Sequence, residues 1–219
     1  FDINQFKQLF SFCESWRMNG LVEGAFDLKG ALDDPVLVGW FSGPDIQLYG
    51  FYPKNVQVDF DLNFPVFDFE LRHSILYDGV VTGEGRVEIA DSSDLVSWIT
   101  ADFFLDNADV VSMFPNLNKS LEGQYDLAVD MEGPLDQYEL SFKFESDSVF
   151  LWDQFIDFAH IETQVLDYND VVIDKSIVRF NQGGPDELLT FSGKIDQFYR
   201  VDLSVFGDGI PFRPIRSSG

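Results

Sequence analysis

VQVDFDLNF, residues Val56–Phe64, alternates apolar and polar residues without a break. In an extended chain Val56, Val58, Phe60, Leu62 and Phe64 point one way and Gln57, Asp59, Asp61 and Asn63 the other. This predicts a strand with one greasy face and one wet face. The same period of two runs through YDLAVDME (Tyr125–Glu132), YELSFKFE (Tyr138–Glu145) and YRVDLSVF (Tyr199–Phe206), between segments rich in Gly, Asp, Asn and Pro. With 24 phenylalanines in 219 residues, strand propensity agrees with the pattern. These signals predict about 15 strands at the short spacing of a continuous meander. The expected fold class is therefore all-β.

Two segments break the period. FDINQFKQLFSFCESW, at the start of the chain, places Phe6, Leu9, Phe10 and Cys13 near helical spacing with Asn4 as a cap, and predicts a short amphipathic helix. DVVSMFPNL, Asp109–Leu117, predicts a second one stopped by Pro115. Each precedes a similar phrase. FDLKGALDDPVLVG (Phe26–Gly39) returns as VDMEGPLDQYELSF (Val129–Phe142): Gly30 matches Gly133, and 133 minus 30 is 103. At that offset Asp27 meets Asp130, Leu32 meets Leu135, Asp33 meets Asp136 and Leu37 meets Leu140. Farther on, VVTGEGRVE (Val80–Glu88) aligns with LLTFSGKID (Leu188–Asp196), bringing Thr82 onto Thr190 and Gly85 onto Gly193. The chain thus divides into the end of a preceding repeat (1–17), a first full β repeat (18–116) and a second (117–219). A sheet of such repeats has two ways to use its greasy face: it closes over itself as a sandwich, or it curls and leaves a groove.

Charge narrows the function. Asp and Glu number 38 against 14 Lys and Arg, a formal net charge of −24, which repels nucleic acid and anionic headgroups alike. Cys13 is the single cysteine, so no intrachain disulfide or cysteine zinc site is available. Apolar stretches fall far short of the ~18 residues that a spanning helix needs. The chain begins at Phe1 without a signal segment and reads as a piece cut from a longer protein. Catalytic phrases such as GxSxG, HExxH or a P-loop are missing, so no catalytic residue is expected. His73 and His160 each lack a second histidine at ligand spacing. Acidic loops DSSD (Asp91–Asp94) and DYND (Asp167–Asp170) do not follow the calcium-loop spacing, so neither a metal nor a cofactor is expected.

The order of a short helix, then an xLxGxΦDLxGxLDxPxLxG phrase, then alternating strands resembles the TamB family of bacterial envelope proteins within the wider AsmA-like group. Gly20, Gly24, Asp27, Leu28, Gly30, Leu32, Asp34, Pro35 and Gly39 carry the likeness in the first copy, and Gly123, Asp126, Leu127, Gly133, Leu135 and Leu140 in the second. The second copy departs from the pattern at Tyr138, where it has proline, and at Phe142, where it has glycine. The resemblance implies a long curled, taco-shaped sheet with short helices at repeat junctions and an open apolar groove. It further implies a periplasmic location within an inner-membrane-anchored protein, the anchor lying outside this fragment. Phospholipid acyl chains would be carried between inner and outer membranes, with a partner from the outer-membrane barrel assembly family engaged through missing parts.

Alternation assigns the groove lining to Val56, Val58, Phe60, Leu62, Tyr125, Leu127, Val129, Met131, Tyr138, Leu140, Phe142 and Phe144. Such a lining suits lipid tails because it makes no hydrogen-bonding demand. At about 4.8 Å per strand, 15 strands would span roughly 70 Å. Phe60→Asp is expected to abolish lipid transfer in a protein that still folds. An alternative is a chaperone or scaffold for outer-membrane protein assembly whose strand edges pair with client strands. A third is a closed sandwich used for adhesion.

Overall fold

The computed structural model describes residues 18–31, 34–48, 51–90, 96–113, 121–151, 154–166, 170–180, 188–196 and 200–208. The fold is all-β: one antiparallel sheet in which, from β2 onward, each strand pairs with the next along the chain. Among the described residues its thirteen strands are β1 (Met18–Gly20), β2 (Glu23–Ala31), β3 (Asp34–Leu48), β4 (Lys54–Asn63), β5 (Val66–Leu76), β6 (Gly79–Glu88), β7 (Trp98–Asp109), β8 (Leu121–Pro134), β9 (Glu139–Leu151), β10 (Gln154–Leu166), β11 (Asp170–Phe180), β12 (Leu188–Ile195) and β13 (Val201–Asp208). The order across the sheet follows the chain from β3 to β13, with β1 and β2 both lying along β3. Turn chemistry supports the hairpins. Between β5 and β6, Tyr77 and Asp78 both take positive φ (51° and 61°), the paired left-handed geometry whose twist matches the flanking strands.

One helical turn, α1 (Val110–Met113), follows β7. It is the start of the second predicted helix; residues 114–120 lie outside the described residues, as does the whole of the first. Asp109 caps the turn, its Oδ2 accepting from the Ser112 amide at 2.9 Å and the Ser112 hydroxyl at 2.8 Å.

The repeat seen in the sequence is a repeat of six strands: β2 to β7 correspond in order to β8 to β13. Gly20 and Gly123, 103 residues apart, share φ values of 141° and 142°. Gly20 faces Ile46 on β3 and Gly123 faces Val149 on β9. What is one long strand in β8 is thus two in the first copy, β1 and β2, separated at Leu21–Val22.

Register shifts interrupt six of the strand pairings and fall in a band across the sheet: between Lys54 and Val58, Leu71 and Ser74, Leu105 and Ala108, Gln124 and Asp126, Ile156 and Phe158, His160 and Thr163, and Ile173 and Ser176. Each shift bends its strand and sharpens the local twist. Small residues occupy the inside of the bend: Ser74, Ala108, Ser146, Ala159 and Ser176 are all buried. Their hydroxyls satisfy backbone carbonyls where the ladder is broken, Ser74 donating to Lys54 O at 3.2 Å and Ser146 to Gln124 O at 2.5 Å. The band is the crease along which the sheet curls.

Candidate functional site: the two faces of the sheet

Strand register places eleven of the twelve predicted lining residues on one face, and Tyr138, just before β9, packs against the Phe60 cluster. Val58, Phe60 and Leu62 of β4 stand opposite Leu71, Phe69 and Phe67 of β5. Leu127, Val129 and Met131 of β8 stand opposite Phe144, Phe142 and Leu140 of β9. Between them β6 contributes Val81, Gly83, Gly85 and Val87, and β7 contributes Ile99, Ala101, Phe103 and Leu105. The apolar face continues through β10 to β13, ending on Val201, Leu203 and Val205.

The curl makes this face cover itself to different degrees. Val56, Val58, Phe60 and Tyr125 are buried, whereas Leu62, Leu127, Val129, Met131, Tyr138, Leu140, Phe142 and Phe144 are half-buried. Phe60, at 5% exposure, packs with Phe67, Val87, Ile99 and Ala101. Rings run across the strands from Phe41 to Phe60 (6.4 Å between centroids), Phe67 (6.0 Å), Phe69 (6.1 Å) and Phe103 (6.3 Å). The last step crosses β6, and the glycines of VVTGEGRVE make room for it. A Cβ at Gly83 would come 2.5 Å from the Phe103 ring, and one at Gly85 would collide with Phe69. Phe60 is therefore core rather than open lining, which corrects the expectation that Phe60→Asp keeps the fold. A half-buried apolar strip runs along β8 and β9. Tyr125 closes one end of it, stacked on Phe144 at 5.0 Å with its hydroxyl 3.1 Å from Met113 Sδ. Burial pushes its phenol well above the usual range.

The opposite face is acidic. Asp59, Glu70, Glu84, Asp102 and Asp130 are direct register partners on five successive strands. Like charges directly opposed destabilise a sheet. Cations offset part of the repulsion: Arg72 pairs with Asp59, Arg86 holds Asp68 through two N–H donors at 2.7 and 3.1 Å, and Arg179 holds Asp157 at 3.0 and 3.1 Å. This face also carries a cleft of about 950 Å³, bordered by Trp40, Asp61, Glu70, Arg86 and Asp102. A twisted sheet is saddle-shaped, so the polar face is concave along one diagonal just as the apolar face is along the other.

Asp130 shows the strain of the acidic row. Desolvation, together with a hydrogen bond and like charge from Asp102, holds its carboxyl above the usual range. The folded state therefore binds this proton more tightly than the unfolded chain, and stability falls as pH rises from the ordinary aspartate range through the raised value. Asp130→Asn is expected to raise Tm at pH 7 by roughly 1–3 °C, an exposed site screened by solvent. The gain should vanish below the ordinary aspartate range, as thermal melts at the two pH values would show.

His160 stands between two carboxylates on the polar face, Nδ1 2.9 Å from Glu145 Oε1 and Nε2 2.9 Å from Glu162 Oε1. Its hydrogen bond, reinforced by Lys143 and opposed by desolvation, holds the Glu145 carboxyl below the usual range. Stability from Glu145 is thus present above the ordinary glutamate range and lost as pH falls through the lowered value. His160→Ala should return Glu145 toward ordinary titration, read as a carboxyl-carbon NMR shift against pH. His73 is exposed at the β5 shift. Among the described residues no group of three or more His, Cys, Asp or Glu is placed to hold a metal ion, and no helix is long and apolar enough to cross a membrane. Asp170 pairs with Lys194 at 2.5 Å, while Cys13, Asp91–Asp94 and the rest of DYND lie outside the described residues.

Sequence reading missed the crease residues and the closure over Phe60. The crease does leave a trace: two polar residues stand where alternation allows one, as in Leu71-Arg72-His73-Ser74, Leu105-Asp106-Asn107-Ala108 and Ile173-Asp174-Lys175-Ser176. Compared with known proteins, the chain matches no family model, no curated protein and no solved structure.

Proposed function

We propose that this chain is a section of an apolar β-groove that carries phospholipid acyl chains between the inner and outer membranes of a bacterial envelope, working in the periplasm and catalysing no reaction. The observation that carries the reading is a mainly apolar face that runs from β3 to β13, set against a charged one. The half-buried strip at Val129, Met131, Leu140 and Phe142 offers tails a surface without hydrogen-bonding demands. In this reading an inner-membrane anchor and an outer-membrane assembly partner belong to other parts of a longer protein. Among the described residues β2 and β13 each have one strand neighbour, which favours a second reading, a scaffold that pairs with client strands.

Native mass spectrometry of protein made in the periplasm and purified without detergent, followed by denaturing extraction, tests the first. Stoichiometric phospholipid, lost in a folded Leu140→Asp variant, is the expected result. A clean apo mass would overturn the conduit.

A further inference from the structure

The two ends of the sheet are complementary to each other. Among the described residues β2 has a single strand neighbour, β3, and β13 has one, β12. Each thus presents a row of backbone N–H and C=O groups that no described strand pairs with. The repeat says which strand fits. Within the chain, the last strand of the first six-strand unit, β7, pairs with the first strand of the second, β8. In the repeat β13 corresponds to β7 and β2 corresponds to β8, so the internal junction is a template for joining β13 of one molecule to β2 of another.

The template fixes the register. Thr82 faces Phe104 and its repeat mate Thr190 faces Phe206, so Ile99, Ala101 and Phe103 map onto Val201, Leu203 and Val205. At the offset of 103 given by Gly30 and Gly133, Val129, Met131 and Gly133 map onto Phe26, Leu28 and Gly30. In the junction Ile99 faces Gly133, Ala101 faces Met131 and Phe103 faces Val129. Transferred, Val201 meets Gly30, Leu203 meets Leu28 and Val205 meets Phe26.

Exposure, which played no part in that mapping, selects the same residues. Ile99 and Ala101 are buried at the junction, whereas Val201 (61%), Val205 (58%), Phe26 (64%) and Leu28 (67%) are among the most exposed large apolar side chains. Charge agrees as well. The opposed carboxylates Asp102 and Asp130 become Ser204 and Asp27, which relieves the repulsion. Thr100 and Glu132, partners at the junction, become Asp202 and Lys29, an attractive cross-strand pair.

We propose that a second copy of this chain adds its β2 edge to the β13 edge of the first in this register, extending one sheet and one apolar face from molecule to molecule. The contact is head-to-tail, so each addition leaves a new edge and growth is open-ended. The proposal stands on the repeat and not on acyl-chain binding, and its test uses lipid-free protein.

Sedimentation velocity across a concentration series reads the outcome directly. The expected result is concentration-dependent association that Leu203→Lys abolishes in a protein folded by circular dichroism. Lys29→Asp should weaken it by about tenfold, and the double variant Lys29→Asp with Asp202→Lys should restore it, since the two new charges attract across the joint. A monomer at every concentration up to solubility would overturn the proposal. So would association that Leu203→Lys leaves unchanged, or a double variant no better than Lys29→Asp alone, because either places the contact elsewhere.

Discussion

Phe60→Asp is expected to unfold the sheet, while Phe142→Asp leaves it standing and, in the proposed groove, removes acyl-chain binding. Both are phenylalanines in the apolar phase of a strand, and alternation alone treats them as equals. Phe60 is 5% exposed and enclosed by Phe41, Phe67, Val87 and Ile99. Removing the ring forfeits about 2–3 kcal/mol of burial, and the aspartate adds the cost of a carboxyl group with no hydrogen-bond partner. The total reaches about 4 kcal/mol or more, a large share of the ~5–15 kcal/mol that holds a domain together. Phe142 is half-buried, opposite Val129 on one side and Thr163 on the other. A charge there can turn toward water, so the expected cost is about 1–2 kcal/mol. Urea unfolding followed by circular dichroism would separate the two. A Phe60→Asp protein as stable as the parent would mean that the ring cluster contributes little, and a Phe142→Asp protein that fails to fold would mean that the strip is core.

Gly123→Ala should cost about 2–3 kcal/mol and lower Tm by roughly 4–12 °C. Gly123 sits at φ 142°, a conformation that L side chains rarely adopt, and an added Cβ would collide with Ser148 O and come 2.9 Å from Val149 Cα. Neither neighbour is a flexible side-chain tip, so the backbone itself must move. Gly20, its repeat mate at φ 141°, faces Asp45 O at 2.8 Å in the same way, and Gly20→Ala should follow with a smaller loss because β1 is a three-residue strand at the margin of the sheet. Differential scanning calorimetry of the two variants checks the order. Equal and negligible shifts would remove the strained glycine from the account of how each repeat begins.

Much of the architecture was legible because period two is written directly into residues such as Val56–Phe64, and because one face of every strand must be apolar for a sheet to curl. The repeat was legible for a related reason: Gly30 and Gly133, or Thr82 and Thr190, hold the same place in the same hairpin. Depth along the face was not. Phe60 and Phe142 look alike in sequence, and what separates them is the packing of Phe41, Phe67, Val87 and Ile99 around the first, a property of several strands together. The crease residues were hidden for a different reason. Ser74 and Ser176 look like solvent-facing serines, yet the extra residue before each of them turns them inward. The acidic row likewise needs register, since Asp102 and Asp130 become neighbours only once β7 and β8 are aligned.

A sheet in which nearly every strand lies beside its successor carries a consequence for how the chain reaches this shape. Most large β proteins fold slowly because distant strands must find one another before any contact rewards the search. Here each hairpin supplies the template for the next, so growth resembles a zipper whose rate is set by local turns such as Tyr77–Asp78. A strand has a docking site as soon as its predecessor is in place. The chain can therefore build its structure progressively from one end while the other is still being delivered, with a single unpaired edge advancing along it.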